Sequence, residues 1–168
     1  MAVNLVKAKS WFQRFAVAFT LTGSPALVLH KPVAASQTIR VGDPVTISGG
    51  ELSTGLATDN LMYGVAMGNV VTTAGNELTD CPVAVADRNT VFVGQADAAS
   101  NGINDGAECD IIASGTSWLV DIGASLKGVC LIVGHVPGDI VADATTAGRL
   151  HFIWKRSQWD LLVATTGG

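Results

Sequence analysis

Residues Val41–Gly50 read VGDPVTISGG, and the backbone chemistry of this stretch decides the fold class. Gly42, inside an alternating apolar run, suits a bulge or a close approach of another backbone segment. Pro44 has no N–H for a sheet ladder, which places its strand at an edge or a bend. Asp43, preceding proline, is held extended, and Gly49-Gly50 turns the chain without steric cost. The stretch reads as a strand bending round the corner of a small barrel or sandwich. It is architecture, with no catalytic signature beside it.

The same rhythm runs outward from it. From Thr38 onward, short runs rich in Val, Ile, Leu and Thr alternate with Gly, Asn and Asp clusters, at the spacing of about 8–12 residues typical of sandwiches and barrels. Strands are expected over 38–48, 62–73, 83–86, 91–96, 107–114, 117–122, 128–136, 150–155 and 159–164. Asn101-Gly102, Asp105-Gly106, Ser114-Gly115 and Arg156-Ser157-Gln158 punctuate them, and Asn-Gly and Asp-Gly suit tight turns. The fold class is therefore all-β, with residues 38–168 as a small barrel or sandwich body.

Residues 1–37 read differently, as an N-terminal arm and linker, extended or partly helical. Leu5, Ala8, Trp11 or Phe12, Phe15 and Phe19 recur at three-to-four spacing over residues 4–21, which predicts a short amphipathic helix. The aromatic and β-branched content leaves an extended arm open. Residues 23–37, with Gly-Ser-Pro and Lys31-Pro32, read as linker. The uncharged run from Phe15 to Leu29 has the outline of a secretion signal. Broken by Gly23-Ser24-Pro25, it is too short for a membrane-spanning helix. We read it as an arm.

Charge divides the chain at the same place. Lys7, Lys9, Arg14, Lys31 and Arg40 precede the first acid, Asp43, while all fourteen acids follow, beside only five bases. An acidic body argues against a nucleic-acid surface, and the basic arm suits an acidic partner. Charged residues are 14% of the chain, against about 25% in an ordinary globular domain. So sparse a set of charges suits either a protein that hides surface against other chains or simply a compact Ala/Val/Gly-rich β protein.

Chemistry-bearing patterns are approached and missed. Cys81, Cys109 and Cys130 are odd in number and widely spaced, which favours buried thiols in a reducing compartment over a disulfide framework. Gly123–Gly128 has phosphate-loop glycine spacing, but Val129 and Cys130 stand where Lys and Ser/Thr are needed. Residues 97–110 gather Asp97, Asn101, Asn104, Asp105, Glu108 and Asp110 without the ligand alternation of a calcium loop. His30, His135 and His151 fall in no metal or triad spacing. Trp118, Trp154 and Trp159 are expected as core or interface anchors. No cofactor, metal or enzymatic activity is expected.

Two stretches carry a family resemblance. IRVGDPVTISGG followed by YGVAMGNVV (Tyr63–Val71) resembles the opening of small bacteriophage head decoration, or cement, proteins. In these, a Gly-Asp strand precedes a Gly-Val-Ala strand. VFVGQADAASNGINDGAECDIIASG (Val91–Gly115) resembles their following hairpin, and Gly128–Leu131 echoes it again. Ile103-Asn104-Asp105-Gly106 is longer than the family's Gly-Asp turn, and the basic arm is also long. The resemblance implies a small β-barrel or β-tulip-like body and a non-enzymatic structural protein made in the host cytoplasm. It would sit on the outer capsid surface of the virion, often as a homotrimer, bridging and stabilising major capsid protein subunits. A virion-surface or tail-associated module that recognises a host ligand is the alternative, and a small hydrolase a third.

Lys7, Lys9, Trp11, Phe12, Arg14, Phe15 and Phe19 are the expected partner-docking residues. An isolated segment of this length cannot bury such rings in a core of its own, and aromatic and Arg side chains carry interface energy. The competing readings are an arm folded back on its own body as a strand or helix, and one lying on a membrane surface.

Overall fold

The computed structural model describes residues 14–75, 79–100, 105–123, 125, 127–138, 147–155 and 157–159. Among them thirteen strands follow in chain order. They are β1 (Ala16–Thr20), β2 (Val28–Pro32), β3 (Thr38–Ile39), β4 (Pro44–Ser48), β5 (Glu51–Thr54), β6 (Gly64–Ala66) and β7 (Val70–Val71). The rest are β8 (Asp80–Val85), β9 (Thr90–Gln95), β10 (Glu108–Ser114), β11 (Ser117–Asp121), β12 (Cys130–His135) and β13 (Arg149–Trp154). The body is all-β, as expected.

The opening stretch folds as its chemistry requires. Gly42 takes φ +86°, and a methyl there would lie 2.6 Å from the Phe15 carbonyl oxygen. The expected close approach is therefore real: the Phe15 N–H donates to the Gly42 oxygen at 3.1 Å. Gly49 and Gly50, at φ +61° and +91°, close the β4–β5 hairpin. The break at Gly42 divides the single strand expected over 38–48 into β3 and β4.

Five strands, in the order β2-β8-β6-β4-β5, form one antiparallel sheet. A parallel bridge from Val33 to Leu52 brings β5 back to the end of β2, closing a first barrel. A second sheet runs β1-β9-β13-β12-β10-β11, and a parallel bridge from Ala96 to Val120 returns β11 to the end of β9. The second barrel is thus β9-β13-β12-β10-β11, with β1 added along β9.

Stave for stave, the two barrels have one topology. Strands β2, β4, β5, β6 and β8 correspond to β9, β10, β11, β12 and β13, and the correspondence holds residue by residue. Pro32 faces Asp80 as Gln95 faces Arg149, and Gly64 faces Val85 as Cys130 faces Trp154. The Ala86 N–H bonds the Tyr63 oxygen, and the Lys155 N–H the Val129 oxygen, both at 2.9 Å. The Gly42 N–H bonds the Ala66 oxygen at 2.8 Å, and the Gly106 N–H the Ile132 oxygen at 2.7 Å. Both glycines are left-handed, at φ +86° and +85°.

Alternation along β6 and β8 explains how the barrels stack. Ala66 and Val83 face the first barrel's core with Val45, Leu52 and Cys81. Their neighbours Val65 and Ala84 join the second barrel's cluster around Phe92, Phe152 and Trp154. A wall buried on both faces needs apolar residues at successive positions, and GVA and VAV supply them.

The expected arm of residues 1–37 is corrected from Arg14 onward. Ala16–Thr20 is a strand on β9, not the end of a helix, and Val28–Pro32 is a stave of the first barrel, not linker. Boundary 37/38 runs through that barrel. The rest of the helix expected over 4–21 lies outside the described residues, as does most of the strand expected over 159–164.

Candidate functional site

Of the seven expected docking residues, Lys7, Lys9, Trp11 and Phe12 lie outside the described residues. The other three have different fates. Phe15 is 2% exposed, its ring 5.2 Å from that of Phe152 and 5.8 Å from that of Trp154. Gly94 makes the room, because a methyl there would lie 2.7 Å from the Phe15 ring. Phe15 therefore serves this chain's own core and is not free to dock.

Arg14 ties the two barrels together. Its Nε and Nη2 donate to the Thr116 oxygen in the β10–β11 turn at 3.2 and 2.9 Å. Its Nε also lies 3.8 Å from Asp43 Oδ1 at the head of β4. Asp43 is buried, and burial pushes its carboxyl above the usual carboxylate range. The Arg40 N–H and the Arg14 and Arg40 charges oppose that push. Phe19 is the one described docking residue that stays exposed, at 44%, its ring standing edge-on to His151 at 5.2 Å.

Phe19 has company that spacing did not reveal. Leu21, Leu27 and Val28 are exposed beside it in sequence. The Leu21 N–H bonds the Asn89 oxygen, and the Val85 N–H the Leu27 oxygen. The β1–β2 connection therefore straddles the turn between β8 and β9, presenting an uncharged apolar strip. The uncharged run from Phe15 to Leu29 is its sequence signal.

The other patterns resolve into structure. Asp97 Oδ1 accepts from the Ile122 N–H at 3.0 Å, Asp110 from the Lys127 N–H at 3.2 and 3.3 Å, and Asp121 from the Gly123 N–H at 3.2 Å. These carboxylates hold loops, and no metal-ligand cluster occurs among the described residues. All three thiols are free and fully buried. Burial, with the charges of Asp121, Asp110 and Asp97, raises Cys109 to about 11, and burial carries Cys130 well above its ordinary value. Trp118 and Trp154 are core residues, and Trp159 packs on Tyr63. A shallow cleft of about 350 Å³ is lined by Gln95, Asp97, Ser114, Thr116 and Ser117 among others, and its carboxylate, Asp97, holds the Ile122 amide. No helix among the described residues is long and apolar enough to cross a membrane.

No family model, no curated protein and no solved structure matches this chain.

Proposed function

We propose that the chain is a non-enzymatic structural protein that decorates a bacteriophage capsid from outside, bridging major capsid subunits as a homo-oligomer. A trimer is the form implied by the family it resembles. The observation that carries this reading is the strip Phe19, Leu21, Leu27 and Val28, each 37–57% exposed, in a run without one charge. Contiguous exposed apolar surface marks an interaction site, and an uncharged strip suits a broad protein surface better than a small polar ligand. The docking element comprises this strip together with Lys7, Lys9, Trp11 and Phe12.

The test is the protein stoichiometry of the particle with which the chain sediments. A fixed ratio to the major shell subunit, set by lattice sites, is expected. A few copies confined to a vertex or tail would instead indicate a receptor-recognition module. Replacing Trp11 and Phe12 together with Ala should release the protein from the particle without unfolding it. Phe15 is left intact in that variant, since its loss would open the second barrel.

A further inference from the structure

The two barrels match stave for stave, yet among the described residues only one has its entry strand covered. In the second barrel β1 lies along β9, with Ala16 opposite Val93, Val17 opposite Phe92, Phe19 opposite Val91 and Thr20 opposite Thr90. The corresponding residues of the first barrel are His30, Leu29, Val28 and Leu27. Among the described residues no strand pairs with that side of β2 over Leu27–His30, β5 reaching it only at the Val33–Leu52 bridge.

The open side has a defined chemistry. The Val85 N–H donates to the Leu27 oxygen, and the Val33 N–H to the Thr79 oxygen, so odd-numbered residues of β2 turn their backbone to β8. Val28 and His30 turn theirs outward, offering two donors and two acceptors at a sheet edge, a ready template for an added strand. The side chains report the same gap. Phe92 is 0% exposed beneath β1, whereas Leu29, its counterpart, is only half-buried. Leu27 and Val28 are exposed outright.

We propose that residues 1–6 of the same chain supply this strand, with Ala2 opposite His30, Val3 opposite Leu29, Leu5 opposite Val28 and Val6 opposite Leu27. Two arguments select this occupant. The first is pattern: Met1–Val6 reads MAVNLV and Phe15–Thr20 reads FAVAFT, each a large apolar residue, Ala-Val, one spacer, then another large apolar residue. One arm carries two strand motifs, and the barrels offer two equivalent edges. The second is reach. Arg14 is fixed beside Asp43, and the pairs Pro44–Val65, Val65–Ala84 and Ala84–Val28 lie at one level round the barrel. Four strand spacings, the last reaching the added strand beyond β2, make about 19 Å, while residues 7–13 span up to about 25 Å extended. The inference rests on the fold and not on the capsid reading; under it Leu27 and Val28 are covered by the chain's own strand, which leaves Phe19 and Leu21 as the strip's partner-facing residues.

Amide hydrogen exchange of the intact protein, without any particle, tests this. The Val28 and His30 amides should be protected like those of Leu29 and Lys31, which face β8, and a variant lacking residues 2–6 should lose only the first pair's protection. A second variant guards against misfolding of the deletion. Val3 and Leu29 would form a non-hydrogen-bonded pair about 4.5 Å apart at Cα, within disulfide range. Val3→Cys with Leu29→Cys should therefore oxidise to an intramolecular bond, because the native thiols are buried. Unprotected Val28 and His30 amides in the intact chain would overturn the proposal. So would protection that survives the deletion, or a disulfide that joins two chains, which would place a second copy at the edge.

Discussion

The two barrels share a ladder but not a filling. Facing Val83, Cys81 and Ala66 of the first barrel, the second sets Phe152, Leu150 and Ile132 at the corresponding positions. The first barrel completes its core from outside its staves, with Ile39 and Val70 of the β3–β7 ribbon and with Tyr63, against which Trp159 packs. The second fills its own interior with rings, and takes in Phe15 and Val17 from the β1 segment and Val65 and Ala84 from the shared wall. Backbone pairing and the two left-handed glycines set the topology. How the enclosed volume is filled is a separate choice, and the chain makes it twice in different ways.

That comparison breaks most sharply in the aromatic core. Phe152→Ala leaves a ring-sized cavity among Phe15, Phe92 and Trp154, all in contact with it, and should cost about 3–5 kcal/mol. Val83→Ala, at the corresponding place, removes far less and should cost about 2 kcal/mol. Denaturant unfolding of the two variants checks the difference, and equal losses would mean that the barrels do not differ in this way. Gly94→Ala comes next. The new methyl meets the Phe15 ring at 2.7 Å, so overpacking of about 1–3 kcal/mol is expected. Phe15→Leu should relieve part of it, making the double variant less destabilised than the two single losses together. Strict additivity would show that the ring moves away freely.

The body's all-β character was legible because alternation and turn chemistry are local. Gly42 was read correctly as a close-approach position, although only the fold could name Phe15 as its visitor. The duplication was invisible, since corresponding residues share hydrogen-bond geometry rather than side chains: Asp80 answers to Arg149, and Pro82 to His151. β1 and β2 were missed for other reasons. The apolar residues of β1 fit helical spacing as well as alternation, and short apolar runs do not decide between the two, while Gly23-Ser24-Pro25 and Lys31-Pro32 gave the β2 segment the look of a linker. Of the docking residues, Phe15 was misassigned because sequence cannot separate a ring that fills its own core from one that awaits a partner.

The smallest expected difference between the barrels is electrostatic. His151 stands in β13 where the first barrel has Pro82, so only the second barrel carries a titrating ring at this position. Burial lowers the pKa of His151 from the ordinary 6.5, and the Arg149 charge lowers it further. The sign follows from proton counts. Above pH 6.5 the ring is neutral folded or unfolded, and its contribution is constant. As pH falls below 6.5 the unfolded chain takes up a proton that the folded chain resists, so folding stability declines. The decline ends once pH passes below the folded-state value. His151→Gln should remove this component, and the difference between the two proteins' unfolding free energies should change across that window and be flat above it. A midpoint read directly from the His151 ring by NMR should lie below 6.5. A value at or above it would mean that burial and the Arg149 charge do not disfavour the protonated ring.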